Sequence, residues 1–351
     1  MKILYGGLMR DNYKPDGGFT FEHTNFYLSL KNFPGTEVIY FPFDKILEIG
    51  KDRFNKEILS LVKDEKPDLV FCFMVSDELA LETLDEMKKH ATTVAWFADD
   101  SWRFWNYSRF YGPHFTWVVT TYSWMPALYK RFGQPNIIRS QWAANTNVYK
   151  PDNTVNNKDR PAVSFVGGWT KPRQRIISKL KREGVMVSAY GSGWPLGRVS
   201  EEKMIQIFSS SKINLGLNPP PGFLNKNSLG RLFFRRSVNK IVPDIHIARN
   251  IKMLLHRGIP QIKARHFEIP ACGGFLITQD ADDLGKYYRI GEEIVTYKNI
   301  NDLAEKIQYH LNNDDARRKI ARAGYERTIK EHTYQKRFEE IFKLIGFSYV
   351  E

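Results

Sequence analysis

Short, uninterrupted apolar runs separated by helix-like segments are the feature that most constrains the fold of this chain. The clearest runs are LVFCFM at 69–74 and TVAWF at 93–97. Apolar runs of this length without polar alternation are typical of strands that are buried on both faces. Because amphipathic segments lie between the runs, the pattern predicts an α/β fold in which helices cover parallel sheets.

The same alternation occurs on both sides of a polar segment. PDNTVNNKDRP at 151–161 contains several Asn residues and has Pro at each end, which is typical of an interdomain linker. We therefore predict a first Rossmann-like domain at 1–150, a linker at 151–160 and a second Rossmann-like domain from 161 onward. Such sheets bind ligands beyond the carboxyl ends of their strands, so two of them predict a cleft lined by loops that follow strands.

Composition narrows the class of protein. The 351 residues are 42% hydrophobic, which excludes global disorder. Cys72 and Cys272 are the only cysteines and lie in apolar runs, which excludes a disulfide scaffold and a multi-thiolate zinc site. Without a signal peptide or an apolar run of about 18 residues, we expect a cytoplasmic protein. The net charge of +13 favours phosphorylated or polyanionic partners.

Two loops of the first domain contain candidate functional residues. The loop after the first strand contains glycines and one arginine that could contact a phosphate or an acceptor, or could form a flexible surface loop: Gly7, Arg10, Gly17 and Gly18. It lacks the GxGxxG spacing of dinucleotide-binding folds. Asp99 and Asp100 follow TVAWF, where adjacent carboxylates can provide a general base or cap the next helix.

Two segments of the second domain combine glycines with cations. Gly167 and Gly168 follow its first strand, and Arg173 and Arg175 follow on a basic helix. This combination predicts a phosphate site, although a solvated helix face has the same pattern.

The segment 261–277 is the most informative part of the sequence. Lys263 lies near the start of a predicted short helix and Glu268 one to two turns later. A carboxylate at that position can accept hydrogen bonds from the hydroxyl groups of a ribose, while a cation binds a diphosphate. Pro270 and the pair Gly273 and Gly274 then end the helix and lead into a strand.

These residues resemble a known family. KARHFEIPACGGFLIT at 263–278 looks like the signature of the CgeB-like (spore-maturation type) glycosyltransferases, which have the GT-B fold of two Rossmann-like domains with parallel sheets facing a cleft. Four further segments are also similar to that family, namely WFADD, SQWAANTNVYKP, SFVGGWTKPRQR and VSAYGSGWPLGRVSEEKMIQIFSSSKINLGLNP. The resemblance extends over most of the chain.

The resemblance implies roles for the two domains. Residues 1–150 would lie on the acceptor side, and residues 161–332 would bind a nucleotide sugar. HTYQKRFEEIF, within 333–351 apart from its first residue, looks like the helix that returns from the second domain to the first.

The resemblance also assigns site residues. Glu268 matches the glutamate that binds the donor ribose, and Lys263 and Arg265 fall where donor-phosphate contacts are expected. Arg198 and Val199 belong to a loop whose backbone would read the nucleobase. Gly273 and Gly274 match the tight turn after the pocket helix.

The implied activity is that of a glycosyltransferase, class EC 2.4. It would move a sugar from a UDP-type or GDP-type donor to a hydroxyl of a sugar, protein or lipid-linked acceptor, with no cofactor and no metal. Pro260 occupies the position eight residues before Glu268 where many retaining enzymes have a second glutamate. Retention and inversion therefore both stay open, with Asp99 or Asp100 as the base of an inverting reaction.

The basic stretch at 222–257 leaves alternatives open. The chain could be a non-catalytic basic protein that docks on nucleic acid or on an anionic membrane surface. No nucleic-acid motif is present, so we do not expect a nucleic-acid partner. An intermediate case is an enzyme in peripheral contact with an anionic membrane, whose segment 231–257 holds an anionic or phospholipid-linked acceptor. A degenerate, non-catalytic GT-B protein would have the same sequence pattern.

Overall fold

A computed structural model describes residues 1–152, 154, 160–219 and 226–347, with the side chains of 226–228 excepted. The chain divides into two compact units. The first unit comprises Met1–Gln141, Phe223–Gly258 and Arg337–Glu351. The second comprises Trp142–Gly222 and Ile259–Lys336. Residues 153 and 155–159 of the predicted linker lie outside the described residues, as do residues 222–225 of the basic stretch.

Strands of the described chain form two sheets and one hairpin. They are β1 (Lys2–Gly7), β2 (Glu37–Pro42), β3 (Leu69–Met74), β4 (Thr92–Phe97), β5 (Trp117–Thr120), β6 (Ile137–Arg139), β7 (Val163–Val166), β8 (Ser188–Tyr190), β9 (Ile213–Gly216), β10 (Phe234–Ser237), β11 (Lys240–Pro243), β12 (Leu276–Gln279) and β13 (Val295–Tyr297).

Helices cover the sheets. They are α1 (Leu28–Lys31), α2 (Ile46–Ile49), α3 (Lys51–Glu65), α4 (Leu81–Met87), α5 (Asp100–Arg103), α6 (Arg109–Tyr111), α7 (Met125–Arg131), α8 (Lys171–Arg182), α9 (Glu201–Ser210), α10 (Lys226–Phe233), α11 (Ile247–His256), α12 (Arg265–Ala271), α13 (Leu284–Tyr287), α14 (Ile300–Asn312), α15 (Asp314–Glu331) and α16 (Tyr334–Leu344). Among the described residues, no helix is both long and apolar enough to span a bilayer.

The sheet of the first unit has six strands in the order β2-β1-β3-β4-β5-β6, and every neighbouring pair is parallel. All six residues of β3 are buried, because this strand lies inside the sheet with helices over both faces. In α3, Phe54, Ile58 and Val62 recur every four residues and are fully buried. The prediction of parallel α/β sheets is therefore confirmed.

The sheet of the second unit has five strands in the order β13-β12-β9-β7-β8, again all parallel. Its core includes Ile213 and Leu215 of β9 together with Ile277 of β12. Because the strands are parallel, the chain segments that follow β7, β9 and β12 all emerge at one edge of this sheet.

The segment 226–258 packs within the first unit, whereas the sequence analysis counts it in the C-terminal domain. Its hairpin, β10–β11, is tied to the loop after β3: the Val238 backbone nitrogen donates to Ser76 Oγ at 3.0 Å, and Arg235 lies 3.2 Å from Asp77 Oδ2. The Asn106 side-chain amide donates to Asn250 Oδ1 of α11 at 3.2 Å.

The last helix, α16, also contributes to the first unit from residue 337 onward. Phe338 packs edge-on against Phe26 and Phe71, with ring centroids 5.9 and 5.8 Å apart. Phe342 packs in the same way against Phe33, at 5.2 Å. These aromatic contacts attach the C-terminal helix to the elements around β3.

Candidate functional site

Strand ends of the second sheet bring together most of the predicted phosphate-binding residues. Arg173 of α8 donates from Nε to the Leu217 carbonyl at 2.9 Å and from a terminal nitrogen to the Gly168 carbonyl at 2.8 Å. Its guanidinium thereby joins the chain beyond β7 to the chain beyond β9. Burial lowers the pKa of Arg173. Arg173 therefore fixes the loop geometry, while its neighbour Arg175 is exposed.

The loop of Gly167 and Gly168 is held against the chain after β8. The Gly167 nitrogen donates to the Tyr190 carbonyl at 2.9 Å, and the Trp194 indole donates to the Gly167 carbonyl at 2.8 Å. Gly191 has φ +130°, and a Cβ there would lie 2.3 Å from the Gly167 oxygen. Only glycine fits this position, so Gly191 and Trp194 are positioning residues that the sequence analysis did not single out.

The predicted nucleobase loop follows directly. Gly197 has φ +66° and its nitrogen donates to the Trp194 carbonyl at 2.9 Å. Arg198 is exposed and Val199 is half-buried.

A buried histidine places α12 at the same strand ends. His266 Nδ1 lies 3.0 Å from the Lys263 nitrogen, and its Nε2 lies 3.0 Å from Thr278 Oγ1 of β12. Thr278 Oγ1 in turn lies 3.2 Å from the Gly216 carbonyl at the end of β9. Burial lowers the pKa of His266 to about 4, so the imidazole is neutral at pH 7. It therefore holds Lys263 and Arg265 beside the end of β9 without adding charge.

Glu268 of α12 has an incompletely satisfied carboxylate. Its side chain is fully buried, and Oε2 is bound by the guanidinium of Arg265. Among the described residues, no donor lies within hydrogen-bond distance of Oε1. A buried oxygen of this kind costs free energy unless a donor reaches it. We name Gly167, Gly168, Arg173, Lys263, Arg265 and Glu268 the strand-end cluster.

Two further contacts complete the cluster. Burial lowers the pKa of Arg265, and the nearby Tyr149 opposes that shift. The Tyr149 hydroxyl in turn donates to Glu201 Oε1 at 3.1 Å. The Lys263 ammonium binds the side-chain oxygen of Gln261.

The glycine pair after α12 fixes the approach to β12. Gly273 has φ +72°, and a Cβ on Gly274 would lie 2.5 Å from the Phe208 carbonyl.

The first loop of the first unit is ordered by its own contacts. The backbone nitrogens of Met9 and Arg10 donate to the carboxylate of Asp44 at 2.6 and 3.0 Å. The Arg10 guanidinium lies 4.3 Å from the centroid of the Phe19 ring. Gly7, predicted in this loop, is instead the buried last residue of β1. Gly17 and Gly18 close the loop, with the Gly18 carbonyl accepting from the Asp11 backbone nitrogen at 3.0 Å.

The two adjacent aspartates after β4 have different environments. Asp99 is half-buried, adopts the left-handed conformation with φ +58°, and lines a cavity. Asp100 is fully buried, and Tyr129 donates its hydroxyl to Asp100 Oδ2 at 3.2 Å. Burial raises the pKa of Asp100 to about 7.

The cavity beside Asp99 has a volume of about 480 Å³ and lies within the first unit. We name it the arginine cavity. Its lining combines five arginines with aromatic rings and three aspartates: Asp77, Asp99, Trp102, Arg103, Tyr107, Phe110, Tyr111, Arg231, Phe234, Arg235, Arg236, Asp244 and Arg249. The basic stretch can be recognised in the sequence, but its proximity to Asp99 arises only in the fold. Among the described residues, no three His, Cys, Asp or Glu side chains are grouped to hold a metal ion.

Comparisons with known structures match this architecture over nearly the whole chain. Sucrose-phosphate synthase from Thermosynechococcus elongatus is 11% identical, with a TM-score of 0.61 and 98% of each chain covered. HepE from Anabaena, in complex with UDP, is 10% identical, with a TM-score of 0.60 and coverage of 98% of this chain and 99% of that chain. A glycosyltransferase from Rickettsia africae is 13% identical, with a TM-score of 0.60 and 99% of each chain covered.

At these identities the structural likeness shows the fold, which is GT-B. No curated protein matches the chain in sequence. A family model described as "Glycosyl transferase-like" matches residues 173–343, which include α12 and most of α8 and α16. The match to this family model over part of the chain and the GT-B fold together indicate a glycosyltransferase.

Proposed function

We propose that the chain transfers a sugar from a nucleotide-diphosphate sugar to a hydroxyl acceptor, and that Glu268 binds the ribose of the donor. One observation carries this proposal: Glu268 is fully buried at the strand ends, yet its Oε1 has no donor among the described residues. A ribose offers two adjacent hydroxyl donors, which would satisfy that oxygen. HepE, which shares the fold, is recorded in complex with UDP and with UDP-glucose.

The cations of the strand-end cluster supply the electrostatics of the proposed reaction. Departure of the nucleoside diphosphate leaves negative charge on its phosphate oxygens. The Arg265 guanidinium already forms an ion pair with Glu268 Oε2, and the half-buried Lys263 lies two residues earlier in the chain. We propose that these two side chains stabilise the leaving diphosphate without a metal ion, and that 197–199 contact the nucleobase.

We propose that Asp99 is the general base that accepts the proton of the acceptor hydroxyl. It lines the arginine cavity, whereas Asp100 is buried against Tyr129. This assignment corresponds to an inverting reaction. We also propose that the chain belongs to the CgeB-like subfamily, because it contains the motif KARHFEIPACGGFLIT.

Calorimetric titration with UDP and GDP tests the donor site. We expect Glu268→Gln to weaken binding of the preferred nucleotide by about tenfold, or roughly 1.4 kcal/mol, because one charge-assisted hydrogen bond is lost. Glu268→Ala should weaken it further. Glu202→Ala, an exposed glutamate of α9, is the control. Unchanged affinity in a folded Glu268→Ala protein would refute the proposed ribose site.

Exposed apolar side chains in 226–258 support a second proposal, peripheral contact with an anionic membrane. In α11, Ile247, Ile251 and Leu255 recur every four residues and are exposed, while Met253 and Leu254 are buried. Ile241 and Ile245 are 78% and 86% exposed. The same segment contains eight Lys or Arg residues and a single acidic residue. Apolar groups among cations complement an anionic lipid surface, whereas a nucleic acid offers no apolar counterpart.

A further inference from the structure

Two arginines that line the arginine cavity, Arg103 and Arg231, and a third beside it, Arg257, lie close to aromatic rings of its wall. Arg231, from α10, has its Cζ 5.4 Å from the Trp102 ring centroid, and Arg257, which follows α11, has its Cζ 5.6 Å from the same centroid. Arg103, at the end of α5, lies over the Tyr107 ring at 4.2 Å. The segment 226–258 thus brings two guanidinium groups to an indole that follows Asp99 by three positions.

The cations at this point outnumber the nearby carboxylates. Partial burial lowers the pKa of Arg231, and the like charges of Arg257 and Arg103 lower it further, while Asp99 opposes the shift. Burial also lowers the pKa of Arg257, again opposed by Asp99. Guanidinium groups held together in this way repel one another. An anion placed among them would remove that repulsion.

The other two carboxylates of the cavity are engaged elsewhere. Asp77 Oδ2 lies 3.2 Å from Arg235 and accepts from the Ser237 hydroxyl at 2.9 Å. Asp244 Oδ1 lies 2.9 Å from the His246 ring. Among the described carboxylates that line the cavity, Asp99 is the one whose charge acts on both Arg231 and Arg257.

Shape and chemistry specify the ligand class. The volume of about 480 Å³ is in the range of small-molecule sites. Guanidinium groups bind phosphate oxygens through paired N–H donors, and Arg103 and Arg231 supply two such groups in the lining. The rings of Trp102, Phe110 and Tyr111 provide apolar walls that suit the face of a sugar.

We infer that the arginine cavity binds a phosphorylated acceptor, whose phosphoryl group is bound by Arg103 and Arg231, with the charge of Arg257 nearby, while its sugar lies along the aromatic walls toward Asp99. The role of this ligand as the acceptor rests on the proposed function, whereas the binding of a phosphoryl group in the cavity does not. The segment 226–258 then serves recognition of the acceptor.

Direct binding tests the inference in the full chain without a donor. The probes are glucose 6-phosphate, uncharged methyl glucoside, inorganic phosphate, and phosphatidylcholine vesicles with and without phosphatidic acid. We expect glucose 6-phosphate to bind at least about tenfold more tightly than methyl glucoside, since a charge-assisted contact contributes about 1.5–3 kcal/mol. Arg231→Gln should abolish that difference, and Arg231→Lys should restore part of it.

The different probes distinguish a soluble phosphorylated acceptor from a phosphate carried by a lipid. Binding of glucose 6-phosphate assigns a soluble phosphorylated acceptor. Binding only to vesicles with phosphatidic acid, lost in Arg231→Gln, assigns a lipid-borne phosphate. Equal affinity for all soluble probes, together with vesicle binding that Arg231→Gln leaves unchanged, would overturn the inference. Arg322→Gln, an exposed cation of α15 paired with Glu326, is the control.

A titration with UDP distinguishes the two proposals. If Arg231→Gln loses glucose 6-phosphate but still binds UDP, the cavity and the donor site are separate, as we expect. If the wild type binds glucose 6-phosphate and neither UDP nor GDP, the proposed function fails while the inference on the cavity stands.

Discussion

The strand-end cluster of the second unit and the arginine cavity of the first unit hold charge in opposite ways. In the cluster, a single buried carboxylate, Glu268, has one oxygen on Arg265 and the other without a donor among the described residues. At the cavity, Arg103, Arg231 and Arg257 place three positive charges near Asp99. We therefore propose that the first region takes a hydrogen-bond donor and the second an anion. A neutral pentose hydroxyl and a phosphoryl group meet these two requirements.

The two regions also differ in how they are built. The strand-end cluster is held by close contacts at the ends of β7, β8 and β9, including the backbone approach of Gly167, after β7, to Gly191, after β8. The arginine cavity is lined by long side chains from α5, α10, β10 and α11. We expect backbone substitutions to disrupt the cluster strongly and side-chain substitutions to change the cavity gradually.

The largest expected effect comes from Gly191→Ala. A Cβ there would lie 2.3 Å from the Gly167 oxygen, and φ +130° disfavours any side chain. We expect thermal unfolding to begin at least about 5 °C lower, at roughly 2–4 °C per kcal/mol for a unit of this size, and nucleotide affinity to fall with it. Gly285→Ala, with open space around its Cβ, should melt like the wild type. Equal melting of both variants would show that the loop is not fixed by this contact.

Asp100→Asn is expected to change how stability depends on pH. Burial raises the pKa of Asp100 to about 7 in the folded protein, above the 3.8 of an ordinary Asp. The folded state therefore favours the protonated carboxyl, so its contribution to stability is fully present below pH 4 and is lost as the pH rises to 7. The asparagine stays neutral and escapes this loss.

Melting curves from pH 4 to 8 check this expectation. The melting temperature of Asp100→Asn should rise relative to the wild type by several degrees across this range, since each pKa unit corresponds to about 1.4 kcal/mol. Asp315→Asn, an exposed carboxylate of α15, is the control. Parallel profiles of wild type and Asp100→Asn would contradict a buried, protonated Asp100, and would bring Asp100 back as a candidate base.

The smallest expected effect concerns the proposed membrane contact. Ile251→Ser and Leu255→Ser together remove two exposed apolar side chains from α11. We expect flotation with vesicles of phosphatidylcholine and phosphatidylglycerol to fall severalfold, with no change in melting temperature. Met186→Ser, 67% exposed in the second unit, is the control. If the wild type does not float with anionic vesicles, the contact is absent.

The sequence predicts the sheets better than it predicts the sites, for a physical reason. Strand β3 is buried along its whole length and β4 along all but its first residue, so their apolar runs are continuous in the sequence. The hairpin β10–β11 is mostly exposed and has no such run, so its segment reads as irregular. Likewise β6, with three residues, is too short to give a pattern.

Site residues, likewise, are predictable only where they lie close together in the sequence. Lys263 and Glu268 could be singled out because both lie in one short motif. The arginine cavity could not be, because Asp99 and Arg231 are 132 positions apart in the sequence and meet only through the fold. The Arg265–Glu268 ion pair has the i,i+3 spacing of helix neighbours, a signal that was present in the sequence.

The most direct test of the central claim compares UDP with 2′-deoxy-UDP on the wild type and on Glu268→Ala by calorimetry. If Glu268 accepts the ribose hydroxyls, the wild type should bind UDP about tenfold more tightly than the deoxy analogue, and Glu268→Ala should bind the two equally. If the variant keeps the full preference for UDP, Glu268 does not bind the ribose and the account of the strand-end cluster is wrong.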